Sequence, residues 1–105
     1  MKPPALLTPD DPNDRFGVSA EAIKRVFTEH LRAGVIRCGC YVPTREEVAN
    51  RPLDWIVPVL TDWFWESPTE LAPDEGQVTA VIAVLKSRPD ADDERVKAVI
   101  ADAPP

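Results

Sequence analysis

LDWIVPVLTDWFWE, residues 53–66, holds all three tryptophans of the chain and four of its seven aromatic residues. On a helix turning about 100° per residue, Leu53, Ile56, Val57, Leu60, Trp63 and Phe64 fall within an arc of about 120°, and Asp54, Thr61, Asp62 and Glu66 lie outside it. That is a core-facing stripe. A strand is the competing reading, because most odd-numbered positions from Leu53 to Trp65 are apolar. The even positions, however, mix Ile56, Leu60 and Phe64 with acids, and Pro58 would delete a ladder donor from any central strand. A helix is therefore expected. Pro58 removes the bond to the Asp54 carbonyl and crowds it, which predicts a kink or a break. Trp55, Val59 and Trp65 stay off the stripe, so these large side chains must meet another element or a partner.

Outward from this stretch the chain is punctuated by stops and caps. On its N-terminal side, Thr44-Arg45-Glu46-Glu47 is a capping box that opens a short helix ending before Pro52. Farther back, Ser19 caps a helix from Ala20 to about Ala33, closed by Gly34, where a positive φ is cheap. Ala20, Ile23, Val26, Phe27, His30 and Leu31 share one face of it. Between the two helices, Ile36, Cys38, Cys40 and Val42 alternate with Arg37 and Tyr41, the pattern of a short extended segment over residues 35–42 that needs a partner strand. The N-terminal arm or a second copy of the chain could supply one. Residues 1–17 are rich in proline and read as an extended arm, with Ala5, Leu6, Leu7 and Phe16 as docking points.

On the C-terminal side, Ser67 to Pro73 is a turn. A helix then starts at Asp74 or Glu75 and runs to about Ser87, with Val78, Val81, Ile82 and Leu85 as its stripe. Arg88-Pro89 breaks the chain, and Asp90 is expected to cap a last helix with Val96, Val99, Ile100 and Ala103 inward. The expected architecture is mainly α: a small bundle of four to five helices over residues 18–105, one short extended segment, and the Pro-rich N-terminal arm.

A chain of 105 residues is one domain with a modest core. Twelve basic against eighteen acidic residues leave a net charge of −6. This balance disfavours nucleic acid and anionic membranes and favours solubility or a basic partner. No apolar run is long enough for a membrane span, and Met1-Lys2-Pro3-Pro4 is not followed by a signal-peptide core, so a cytoplasmic location is expected. The abundance of Ala, Val, Arg, Asp and Pro suits a bacterial or phage genome.

Chemistry is sparsely provided. His30, Cys38 and Cys40 carry zinc-type donors, but there is no second Cys pair or second His, and a disulfide across one residue would be strained. Buried thiols and a hydrogen-bonded core imidazole are the simpler expectation. No glycine loop cradles phosphate, and no Ser or Cys stands beside a recognisable base. The Asp10, Asp11, Asp14 group and the Asp90, Asp92, Asp93 group sit in turns and at a helix start. Accordingly no enzymatic activity and no cofactor are expected.

The function class that remains is a non-enzymatic interaction module: a small acidic adaptor, assembly component or inhibitor docking on another protein through Trp55, Val59, Asp62 and Trp65. A winged-helix DNA-binding regulator is the first alternative. The helix order loosely fits it, and Lys24, Arg25, Arg32, Arg37, Arg45 and Arg51 supply base, yet residues 53–66 carry three acids and no base. A zinc or thiol-redox protein using Cys38 and Cys40 is the second.

Overall fold

In a computed structural model that describes residues 11–34 and 40–104, the tryptophan stretch is a single helix, Leu53–Glu66. The element order is α1 (Ala20–Arg32), α2 (Arg45–Asn50), α3 (Leu53–Glu66), a 3-10 turn (Thr69–Leu71), α4 (Glu75–Lys86) and α5 (Glu94–Ala101). The protein is mainly helical, as its periodicities require, and the described residues include no strand. Residues 35–39, the larger part of the expected extended segment, lie outside the described residues, as do residues 1–10 of the expected arm. Cys40 to Val42 have no regular structure.

Five apolar side chains of α3 enter the core: Leu53, Ile56, Leu60, Trp63 and Phe64. Trp63 is fully enclosed, with Phe16 and Phe64 at ring-centroid distances of 5.9 and 5.7 Å. Its indole N–H donates to the Leu71 carbonyl at 2.8 Å, so the one polar atom of the ring is satisfied. Burying a ring of this size contributes about 4–6 kcal/mol of transfer free energy. Pro58 does not break the helix. It lies on the exposed face, where the orphaned Asp54 carbonyl can turn to water.

The local rules hold at most termini. Ser19 caps α1, Thr44 and Glu47 form a reciprocal capping box on α2, and Asp74 and Gln77 form another on α4. Gly34 follows α1 with φ +72°. The start of α5 differs from expectation. The capping residue is Asp93, whose carboxylate accepts from the Arg95 N–H, and the helix begins only at Glu94. Asp90 is occupied elsewhere, holding Arg88 through two hydrogen bonds of 2.8 and 3.1 Å.

That arginine is one of the few buried ionic groups. Arg88 is 8% exposed and donates to the Val48 carbonyl at 2.7 Å and the Arg51 carbonyl at 2.8 Å. The Val48 carbonyl would ordinarily accept from the residue four positions on, but that residue is Pro52, which has no N–H. Arg88 therefore completes the C-terminus of α2 from the end of α4, the pair of helices that pack together. In the same way α3 packs on α5.

The residues before α1 also belong to the core. From Asp11 the chain turns, and Phe16 is 4% exposed with a left-handed φ of +56°, followed by Gly17 at +85°. Buried Asp14 accepts from the Gly17 N–H and from Arg45 Nε, the latter at 2.9 Å, and the Arg45 guanidinium lies 4.6 Å from the Phe16 ring centroid. By contrast α1 sits at the edge. Only Val26 of its apolar face is buried, in a small cluster with Cys40 and Leu71, while Phe27 and Leu31 are 48% and 51% exposed.

Candidate docking surface on the tryptophan helix

The helical period puts Asp54, Pro58, Thr61, Asp62, Trp65 and Glu66 on the side of α3 opposite its buried stripe. All of them are exposed except Asp62, which is half-buried. Trp65 is 55% exposed, the most open of the exposed large apolar side chains. Its indole borders a groove of about 700 Å³ between α3 and α5, whose other apolar walls are Val57, Phe64, Ala98 and Val99. Asp102 and Arg95 line the groove from α5.

The charged side chains that line this groove are Arg95 and Asp102. Arg95 is already engaged by Asp93, through bonds of 3.1 Å from both Nε and Nη2, and it also bonds Asp54 across to α3. The Arg95 guanidinium holds the Asp93 carboxyl below its usual range. Asp62, Glu66 and Asp102 make no ion pair among the described residues. Glu66 and Asp102 stand at the C-terminal ends of α3 and α5, and neither helix has a basic residue in its last turn. There the carboxylates add to the negative pole of the helix dipole instead of offsetting it.

Of the four docking residues named from the sequence, Trp65 borders the groove, and Trp55, Val59 and Asp62 follow one another along a neighbouring face of α3. Trp55 is half-buried, in edge-to-face contact with Tyr41 at 5.8 Å and beneath the Arg51 guanidinium at 5.1 Å. Val59 is also half-buried, against the main core. Neither of them, nor Asp62, lines the groove that Trp65 borders. Sequence reasoning missed the contribution of α5: Ala98 and Asp102 gave no signal, because only the packing of α5 on α3 makes them neighbours of Trp65.

The Trp55 side carries a tight polar cluster. The Tyr41 hydroxyl donates to Glu47 at 2.8 Å, Arg15 donates to the Val42 carbonyl at 2.6 Å, and the Arg15 guanidinium lies 5.3 Å from the Tyr41 ring centroid. Burial raises the Tyr41 pKa above its ordinary value. For Glu47, burial acts upward but is outweighed by the Thr44 N–H, the Tyr41 hydroxyl and Arg15, so its carboxyl titrates below the usual range. The bases near Trp55 are thus partly consumed by local acids.

The zinc-type donors are not assembled among the described residues. His30 faces Glu70 of the 3-10 turn, Nε2 to Oε2 3.7 Å, and Cys40 is buried in the cluster under α1. Cys38 lies outside the described residues, and among those described no three His, Cys, Asp or Glu side chains are grouped as a metal site. A second pocket of about 290 Å³ lies between Phe16, Arg45 and the start of α4. Its polar groups are used internally, Asp14 by Arg45 and Asp74 by Gln77. No described helix is long and apolar enough to cross a membrane. No protein family, curated protein or solved structure matches the chain.

Proposed function

We propose that this protein is a non-enzymatic interaction module, a small acidic cytoplasmic adaptor, assembly component or inhibitor that docks on another protein through α3. The observation that carries the reading is Trp65, 55% exposed beside an apolar groove and the most open large apolar side chain among the described residues. A protein hides an indole when it can, because exposing one forfeits several kcal/mol of burial, of order 2–5. Tryptophans left at a groove are the side chains most often found as binding hot spots. Of the residues named from sequence, Trp65 carries the contact, with Val57 and Phe64 beneath it. Trp55 and Val59 act by holding the helix in place.

The test is affinity capture from an extract of the source cells with the intact chain and with Trp65→Ala. Proteins retained by the first and lost with the second support the reading. Identical capture by both overturns it. Because Trp65 is exposed, the variant keeps its fold, and circular dichroism verifies this.

A further inference from the structure

We propose that α1 is a self-association surface: two copies of this chain pair through their α1 helices, antiparallel, to form a weak dimer. The helix rests on the protein by one side. Val26 is buried there, Ile23 is half-buried beside it, and His30 faces Glu70 of the 3-10 turn. A quarter turn away lie Ala20, Lys24, Phe27 and Leu31, all exposed, Phe27 at 48% and Leu31 at 51%. Their spacing is that of a coiled-coil seam, and nothing among the described residues covers it.

The charges beside the seam say what fits it. Glu21 and Arg32 lie along its edge on the side away from the core, Glu21 in the first turn of the helix and Arg32 in the last. Neither of them, nor Lys24, makes an ion pair among the described residues. Antiparallel copies centred at the level of Val26 set Leu31 of each over Ala20 of the other, and Phe27 against the methylenes of Lys24. In that register Glu21 of one copy comes level with Arg32 of the other, twice over by symmetry, and the two helix dipoles oppose. A parallel pair would instead bring like charges level and like helix ends together. The bases Lys24, Arg25 and Arg32 also outnumber the acids Glu21 and Glu29 on α1. Copies of a chain with a net charge of −6 therefore meet here without the repulsion that its acidic faces impose. The 13 residues of α1 make a helix of roughly 20 Å. Such a contact buries less than the ~1,600 Å² of a standard interface, so the dimer forms only at high concentration.

Sedimentation equilibrium of the full chain over a wide concentration range is the test, and the parent chain should show a reversible monomer–dimer equilibrium. Leu31→Glu, at an exposed position where circular dichroism verifies that the fold is kept, should raise the dissociation constant by more than about tenfold. Glu21→Arg and Arg32→Glu should each weaken the dimer severalfold. An equimolar mixture of those two variants should restore it, because every arginine then faces a glutamate. Trp65→Ala, on the separate groove of α3 and α5, should leave the equilibrium unchanged. A chain that stays monomeric at every concentration overturns the proposal, as does a dimer indifferent to Leu31→Glu or lost with Trp65→Ala. Failure of the mixture to restore the dimer overturns the antiparallel pairing and the proposal with it.

Discussion

Replacing Arg88 by Ala should cost more stability than any other single change to a charged side chain, and the amount follows from what the guanidinium holds. Its bonds to the Val48 and Arg51 carbonyls are 2.7 and 2.8 Å long, and its side chain is only 5% exposed. A charge-assisted hydrogen bond contributes about 1.5–3 kcal/mol, and a buried carbonyl left without a donor incurs its desolvation penalty. Pro52 cannot replace the donor to Val48. The expected loss for Arg88→Ala is about 3–5 kcal/mol, a large share of the roughly 5–15 kcal/mol available to a domain of this size. With a urea m-value of about 1–3 kcal/mol per molar, the unfolding midpoint should fall by roughly 2 M. Asp90, by contrast, has a side chain 42% open to solvent, so Asp90→Ala should lose only a small part of what Arg88→Ala loses. Equal losses for the two variants would mean that the ion pair, not the carbonyl clamp, holds α4 to α2. An Arg88→Ala loss below about 1 kcal/mol would refute the reasoning outright.

Three further outcomes are expected. Pro58→Ala, on the exposed side of α3, should restore an N–H to the Asp54 carbonyl and raise stability by about 1–3 kcal/mol in urea unfolding; a loss would show that the proline is needed for the path of the helix. Trp63→Phe removes the donor to Leu71 and part of the enclosed ring, and thermal and urea unfolding should register a cost of about 2–4 kcal/mol. On acidification, the depressed carboxyl of Glu47 binds fewer protons folded than unfolded. Its contribution is therefore complete above its unfolded pKa of about 4.3 and disappears as pH falls through the lower folded value. The drop in urea midpoint from pH 7 to pH 3 should be smaller in Glu47→Gln than in the parent chain, and equal drops would contradict the assignment.

The parts of the fold that could be read from sequence are those decided within one or two turns of chain. The stripe from Leu53 to Phe64, the Ser19 and Thr44 caps, the helix start at Asp74 or Glu75 and the left-handed Gly34 all follow from local spacing and backbone sterics, and each has its expected structure. Contacts between distant residues escaped. Asp90 carries as good a capping side chain as Asp93, and what removes it from that role is Arg88, itself drawn off by carbonyls forty and thirty-seven residues away. Phe16 was legible as an apolar docking point of the arm, but the left-handed φ by which it reaches the core was not. For the site, the period of α3 was enough to mark Trp55 and Trp65 as off the stripe. Their different surroundings, Tyr41 and Arg51 for one and an open groove for the other, depend on which neighbours fold against them.

The helix pairings interleave along the chain, α2 with α4 and α3 with α5. Neither pair is a hairpin of consecutive helices, so no two-helix fragment can mature alone while the rest is still being made. During synthesis the tryptophan stretch leaves the ribosome well before the α5 segment that closes over it. Its apolar surface must wait for α5, and a chain stopped short of that helix should be recognised by chaperones and proteases as misfolded.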